Sequence, residues 1–273
     1  MLQRLSQILA GFRWAAKFDN PLEILVTKHL LRRKSPLALV HQGMQLFIDL
    51  RTSDGHVVGD VLLEGMYDRH LNEVGKGRKP FRYLNLGANI GTFDLRVFQI
   101  FGSQCSGVAV EMNPATFARL VMHLEDNRLL SRVRAINAAV WDAPGEAQVE
   151  IEERDTGQTC RSPGGTGTRG HGDMGSEHQE WPVPLVPWRD VFALASQGGM
   201  VDLVKVDIEG AEEQVIPCIT PDEAARMRFL VVETHGPSAR QVVTGHLQAL
   251  NFTRLSEEPG TGTTHLAFWK APG

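Results

Sequence analysis

The stretch YLNLGANIGTFDLRVFQIF, Tyr83 to Phe101, decides how the chain folds. YLNL is a short apolar run of strand type, GANIG is a glycine turn, and TFDLRVFQIF carries apolar residues at helical spacing. Strand, glycine turn and helix in that order make the opening unit of an α/β sheet, and the turn is where a ligand approaches the backbone.

Outward from this unit the rhythm repeats. Toward the C-terminus come GVAVE, VRAINAAVW, VDLVKVD and FLVVETH, with helical patterns between most of them. The alternation predicts an α/β fold with a mostly parallel seven-stranded sheet and helices on both faces. The runs NFTRLS and THLAFWK flank the turn EEPGTGT, which predicts a hairpin and an antiparallel edge strand. Upstream the pattern is mixed: helices over Leu2 to Lys17 and Pro21 to Arg32, then strand-like pieces in LALVHQGMQLFIDL and GHVVGDVLLEG. The expected organisation is an N-terminal extension or lid over 1–78 and an α/β domain over 79–273. Arg154 to Pro184 is rich in Gly, Ser and Thr without apolar periodicity. It reads as a long exposed loop, either a tolerated insertion or a cover over the ligand cleft.

Composition narrows the function classes. A chain of 273 residues with 42% hydrophobic and 22% charged residues suits one large domain with extensions. Its net charge of -4 supplies no overall attraction to phosphate backbones, so a small-molecule partner is expected and a nucleic acid is not. Cys105, Cys160 and Cys218 are scattered and odd in number, which suits free thiols in a cytoplasmic protein better than disulfides or structural zinc. No apolar run approaches the roughly 20 residues that span a bilayer. The opening MLQRLSQILAGFRWAAK is amphipathic. A packing helix, against the domain or a partner subunit in a homo-oligomer, is preferred over a membrane-surface helix.

In parallel sheets the ligand crevice lies outside the carboxyl ends of the strands. The residues there are Asn85, Glu111, Asp207, and Glu233 with His235, a largely acidic rim. GANIG lacks the GxGxxG spacing that closes backbone amides on a pyrophosphate. Glu111 follows Gly91 by 20 positions, where the next strand delivers a carboxylate to ribose hydroxyls. A nucleoside with a positive centre and no phosphate suits such a rim, and S-adenosylmethionine has that character.

GANIG, EMNP, AAVWDAPGEAQVEI, VDLVKVDIEGAEEQVI and FLVVETH together resemble the successive motifs of the FkbM family of S-adenosylmethionine-dependent methyltransferases, which have the class I Rossmann-like fold. The resemblance spans roughly Tyr67 to Phe252, with EGMYDR similar to the family's upstream segment and VPLVPWRDV to the stretch before its fourth strand. It implies that Gly87, Ala88, Asn89 and Gly91 line the methionine part of the cofactor, that Glu111 holds the ribose, and that Met112 and Asn113 border the adenine. Asp207 is expected beside the cofactor as well as at the reaction. Asn85 departs from the acid usual in the family, although its amide can still bond the cofactor's amino and carboxylate groups.

The expected reaction is O-methylation of a hydroxyl on a sugar or natural product. Asp207 and His235 are the candidate bases, His235 having the better placed ordinary pKa, and Glu209 shares their segment. Lys205 reads either as part of that site or as the ion-pair partner of a neighbouring acid. A divalent cation gathered by Asp207, Glu209, Glu233 and His235 ranks second, since no tight metal motif supports it. The competing classes are a nicotinamide-dependent oxidoreductase on the same fold and a protein that binds the nucleoside cofactor without catalysis.

Overall fold

The computed structural model of the protein describes residues 10–31, 36–75, 80–151, 160–161, 179–260 and 262–272. In chain order its strands are β1 (Leu37–His41), β2 (Met44–Ile48), β3 (Phe81–Leu86), β4 (Cys105–Glu111), β5 (Val133–Asn137), β6 (Ala139–Trp141) and β7 (Gly145–Ile151). There follow β8 (Cys160–Arg161), β9 (Gln179–Pro187), β10 (Val201–Val206), β11 (Met227–His235), β12 (Thr253–Pro259) and β13 (Thr264–Lys270).

Seven of them form one sheet in the order β12-β13-β11-β10-β3-β4-β5. From β11 to β5 every pairing is parallel. The C-terminal hairpin sits at the expected edge, and its reversed strand is the inner one. β13 runs antiparallel to both β11 and β12, so the outermost strand β12 has the direction of the parallel set.

The pleat of β3 divides the interior. Phe81 and Tyr83 face a core shared with the helix Thr92–Phe101, while Leu84 and Leu86 face one built around Trp188, Phe192 and Trp269. Asn85 has the parity of Tyr83 and therefore points toward that helix. β10 is buried at all six positions, as a central strand covered on both faces must be.

The N-terminal segment joins the first core. β1 and β2 pair antiparallel through Gln42 and Gly43, both at positive φ, with Leu37 opposite Ile48 and Leu39 opposite Leu46. All four side chains are at most 1% exposed, each contributing roughly 1.5–3 kcal/mol of burial. An exposed ion pair contributes under about 1 kcal/mol, so burial holds this segment to the sheet. His123 adds a polar tie, its Nδ1 bonded to the Ile90 carbonyl at 2.7 Å and its Nε2 accepting the Phe47 N–H at 2.9 Å.

Two expectations fail here. GHVVGDVLLEG is helical, an α-helix Asp54–Val58 running into a π-helical turn Gly59–Leu63. Its buried residues Val58, Val61 and Leu62 recur at three and four positions, a period that V/L-rich sequence hides behind apparent alternation. QEWPVP, read as part of the long loop, belongs to β9. Pro182 and Pro184 are two apart, so their missing N–H groups fall on one side of the strand and the ladder to β7 runs from Gln179 to Leu185. The rest of the expected loop lies outside the described residues, apart from β8. β6, β7, β8 and β9 form a second sheet, ordered β6-β9-β7-β8, and VRAINAAVW is split at Ala138 into β5 and β6.

Candidate active site

A cavity of about 790 Å³ opens at the carboxyl ends of β3, β4, β10 and β11, within the range of small-molecule sites. One side is the GANIG turn. Gly87 has φ +75, and a Cβ there would lie 1.6 Å from the Asp207 carbonyl oxygen, so the two strand-end loops cross where only glycine fits. The Gly87 and Ala88 N–H groups donate to the Val110 carbonyl at 3.0 and 2.9 Å, which locks the turn to β4.

Glu111 closes that side. One carboxylate oxygen accepts the Asn89 N–H and the other the Asn113 N–H, both at 2.8 Å. Each oxygen keeps a further lone pair, so a carboxylate that lines the cavity remains able to accept two hydroxyls of a ribose. Burial raises its pKa to about 7 despite those backbone bonds. The residues thus fit a nucleoside cofactor.

Gly87, Ala88, Asn89, Glu111, Met112, Asp207 and Glu209 all line the cavity. Asn85, Gly91, Asn113 and His235 do not. Gly91 sits at φ +87 as the N-cap of Thr92–Phe101, and a Cβ there would meet Leu120 at 2.7 Å. Asn113 caps Pro114–Asp126, accepting the Ala115 and Thr116 N–H groups at 2.9 and 3.3 Å. The pair Asn-Pro in EMNP already carried that cap signature. Asn85 is fully buried and donates to Asp94 Oδ2 at 2.8 Å, while the Tyr83 hydroxyl donates to Asp94 Oδ1 at 2.8 Å. An acid at position 85 would face the Asp94 carboxyl, whose pKa burial already raises to about 6. Asn85 is therefore a structural partner of Asp94 and does not line the cavity.

The opposite side is built from side chains. Lys205, 4% exposed, donates to the Gly87 carbonyl at 3.0 Å and to Asp207 Oδ2 at 3.2 Å, and its ammonium lies 5.9 and 6.0 Å from the Tyr67 and Phe93 ring centres. The N-terminal segment supplies Asp60, Glu64 and Tyr67, and β11 supplies Glu233. Among the described residues the Glu233 carboxylate has no hydrogen bond or ion pair. Burial first, then the charge of Asp207, raise its pKa to about 7.

His235 stands behind this wall. Its Nδ1 donates to Glu212 Oε1 at 2.9 Å and its Nε2 lies 3.3 Å from Glu209 Oε2. Burial works against the charged ring, but the Glu212 hydrogen bond and the charges of Glu212, Glu209 and Asp207 prevail and raise its pKa to about 9. A ring already protonated near neutral pH, with both nitrogens engaged, has no lone pair to accept a proton, so the base expected at His235 is withdrawn. Asp207, Glu209 and His235 do bring ligand atoms within 4.8 Å of one another. The protonated imidazole itself compensates the carboxylates there, so the second-ranked metal gains no support from this geometry.

The comparisons agree with this arrangement. Residues 85–255 match the family model described as the methyltransferase FkbM domain. The chain belongs to the FkbM methyltransferase family. Membership makes it an S-adenosylmethionine-dependent methyltransferase and leaves the oxidoreductase alternative without support. No curated protein matches it. Among solved structures it is similar to a METTL16 MTase domain, at 13% identity and TM-score 0.52 over 92% of this chain and 78% of that one. It is also similar to a human methyltransferase 10 domain containing protein, at 13% identity and TM-score 0.50 over 93% and 96%. Both likenesses concern the Rossmann-like fold. No helix among the described residues is long and apolar enough to cross a membrane.

Sequence reading left Asp60, Glu64 and Trp141 unassigned, all of which line the cavity, and gave Tyr67 no role. Glu64 and Tyr67 carried a signal through EGMYDR, and Trp141 through AAVWDAPGEAQVEI; Asp60 is brought there by packing.

Proposed function

We propose that this methyltransferase forms a methyl ether on a hydroxyl of a small molecule, with Glu233 as the general base. The observation that carries the reading is the Glu233 carboxylate, which lines the cavity with no hydrogen bond or ion pair among the described residues and has a pKa raised to about 7. When bound, S-adenosylmethionine would supply an electrophilic methyl group for the acceptor oxygen, with S-adenosylhomocysteine as the leaving group. Glu111 and the Gly87–Asn89 backbone hold the nucleoside and methionine ends. Glu233 accepts the hydroxyl proton and passes it to water, and Lys205 fixes Asp207 and the Gly87 loop relative to each other. Most of the acceleration is then positioning and exclusion of water.

The N-terminal segment acts as the wall or lid of the acceptor half, through Asp60, Glu64 and Tyr67. The scattered cysteines Cys105 and Cys218 suit the cytoplasm as the site of reaction. The test is mass spectrometry of sugars, glycosides and polyketide-like alcohols incubated with enzyme and S-adenosylmethionine. A methyl ether whose yield Glu233→Gln suppresses is expected. Tight cofactor binding with no product from any hydroxyl would favour a binder without catalysis, and a product methylated on nitrogen or carbon would move the acceptor class.

A further inference from the structure

Charge in the cavity is unbalanced. Among the described residues the carboxylates of Asp60, Glu64, Glu111, Asp207, Glu209 and Glu233 line it, against the ammonium of Lys205. Half of these acids are committed. Asp207 pairs with Lys205, Glu209 faces the protonated His235, and Glu111 holds the Asn89 and Asn113 N–H groups on the side proposed for the nucleoside. The carboxylates of Asp60, Glu64 and Glu233 have no hydrogen bond or ion pair among the described residues. Asp60 and Glu64 are exposed, so they stand at the mouth of the cavity, where the π-helical turn Gly59–Leu63 places them four positions apart. Partial burial first, then the charge of Glu64, raise the Asp60 pKa, with His56 opposing.

A buried hydroxyl in the same place also calls for a ligand. Tyr67 is 3% exposed and lines the cavity, and its hydroxyl has no hydrogen-bond partner among the described residues. Burial first, then the charges of Asp207, Glu233 and Asp60, raise its pKa well above the usual phenol value, so the phenolic oxygen stands among those carboxylates and keeps its proton. Such a hydroxyl is costly to bury unless a ligand supplies the missing partner.

Charge decides what that ligand is. S-adenosylmethionine carries one net positive charge, so it answers one of the three uncommitted carboxylates and leaves two. A neutral alcohol leaves the imbalance in place, and an anionic one is repelled. A metal ion needs converging ligand atoms; among the described residues those of Asp207, Glu209 and His235 converge, and none of the three uncommitted acids joins them. An ammonium has three N–H donors, enough for a carboxylate and the Tyr67 oxygen together, and it leaves Glu233 to the reacting hydroxyl. We propose that the acceptor carries a cationic amine beside the hydroxyl that is methylated, as an amino sugar or amino alcohol does. Asp60 and Tyr67 bind the amine, and Glu64 adds to the field that draws it to the mouth. This inference rests on the ether-forming reading.

The probes are methyl glucoside and the counterparts in which one hydroxyl at a time is replaced by an amine. Calorimetry on the full chain loaded with S-adenosylhomocysteine should show an amine binding about tenfold more tightly than methyl glucoside, and mass spectrometry with S-adenosylmethionine should show that amine converted to an O-methyl ether. Asp60→Asn with Glu64→Gln should cut the preference to about twofold with thermal unfolding unchanged, a ratio that a merely structural effect would not move. The inference is overturned when no amine binds more tightly than methyl glucoside, or when the preference survives the double substitution; ether formation on a neutral alcohol would then still stand. Selective amine binding followed by methylation on nitrogen, or by none, overturns the ether-forming reading instead and leaves the cationic ligand in place.

Discussion

In the half of the cavity proposed for the cofactor the protein presents mostly backbone, fixed by strand ends and a glycine turn; in the half proposed for the acceptor it presents side chains drawn from β10, β11 and the N-terminal segment. Gly87 illustrates the first, since its place is set by the Asp207 carbonyl crossing over it. Glu233 illustrates the second, a carboxylate near the charge of Asp207 with no hydrogen bond or ion pair among the described residues, with Tyr67 arriving from the N-terminal segment. A half built from backbone tolerates few substitutions but needs few specific residues. A half built from side chains can change its acceptor without disturbing the fold.

The sharpest break in this comparison is Gly87→Ala. The added carbon has no space and the backbone no allowed conformation, so a loss of more than about 4 kcal/mol is expected, read as collapse of the thermal transition and of cofactor binding. A stable variant that still binds S-adenosylmethionine would show that the crossing is looser than described.

Glu233→Gln comes next and acts on the other half. Turnover should fall by roughly 10²–10⁴ with cofactor affinity intact, as measured by calorimetry beside steady-state kinetics. The wild-type rate should climb as pH rises through about 7, where Glu233 loses its proton, and the variant should lose that limb.

His235→Gln tests the buttress behind the wall. A histidine whose folded pKa of about 9 exceeds its ordinary 6.5 stabilises fully below pH 6.5, and the contribution fades as pH rises through 9. The 2.5-unit gap corresponds to about 3 kcal/mol at pH 6. The wild type should therefore lose thermal stability between pH 7 and 10, and the variant should start lower and change less. A variant as stable as wild type at pH 6 would remove the imidazolium from the account.

The smallest effect on binding is expected for Asn85→Ala. Removing a buried partner of Asp94 should cost about 1–3 kcal/mol of stability, with S-adenosylmethionine affinity within about twofold. A large loss of affinity would return Asn85 to the cofactor and blur the distinction between fold and site.

The legibility of the two halves differs for the same reason. The place of Glu111 and the Gly87–Asn89 turn in the cavity wall was readable because strand, turn and helix are local patterns and the ligand side of a parallel sheet is general. The helix Asp54–Val58 and its π-helical turn were misread as strand, and with them went Asp60, whose place in the wall depends on that turn. His235 was read at its ordinary pKa because nothing near it in the chain announces Glu212, 23 positions away, as its hydrogen-bond partner.

The sequence by itself determined the strand and helix order of the seven-stranded sheet, the family and the cofactor. These follow from short-range periodicity and from residues at strand ends. Only the tertiary structure decided that Asn85 serves Asp94, that His235 is a cation between carboxylates, and that Glu233 lines the cavity with no ion pair among the described residues. Which face a side chain takes is local, but what it meets there and how much water remains are set by packing between distant segments, and those two quantities fix its charge.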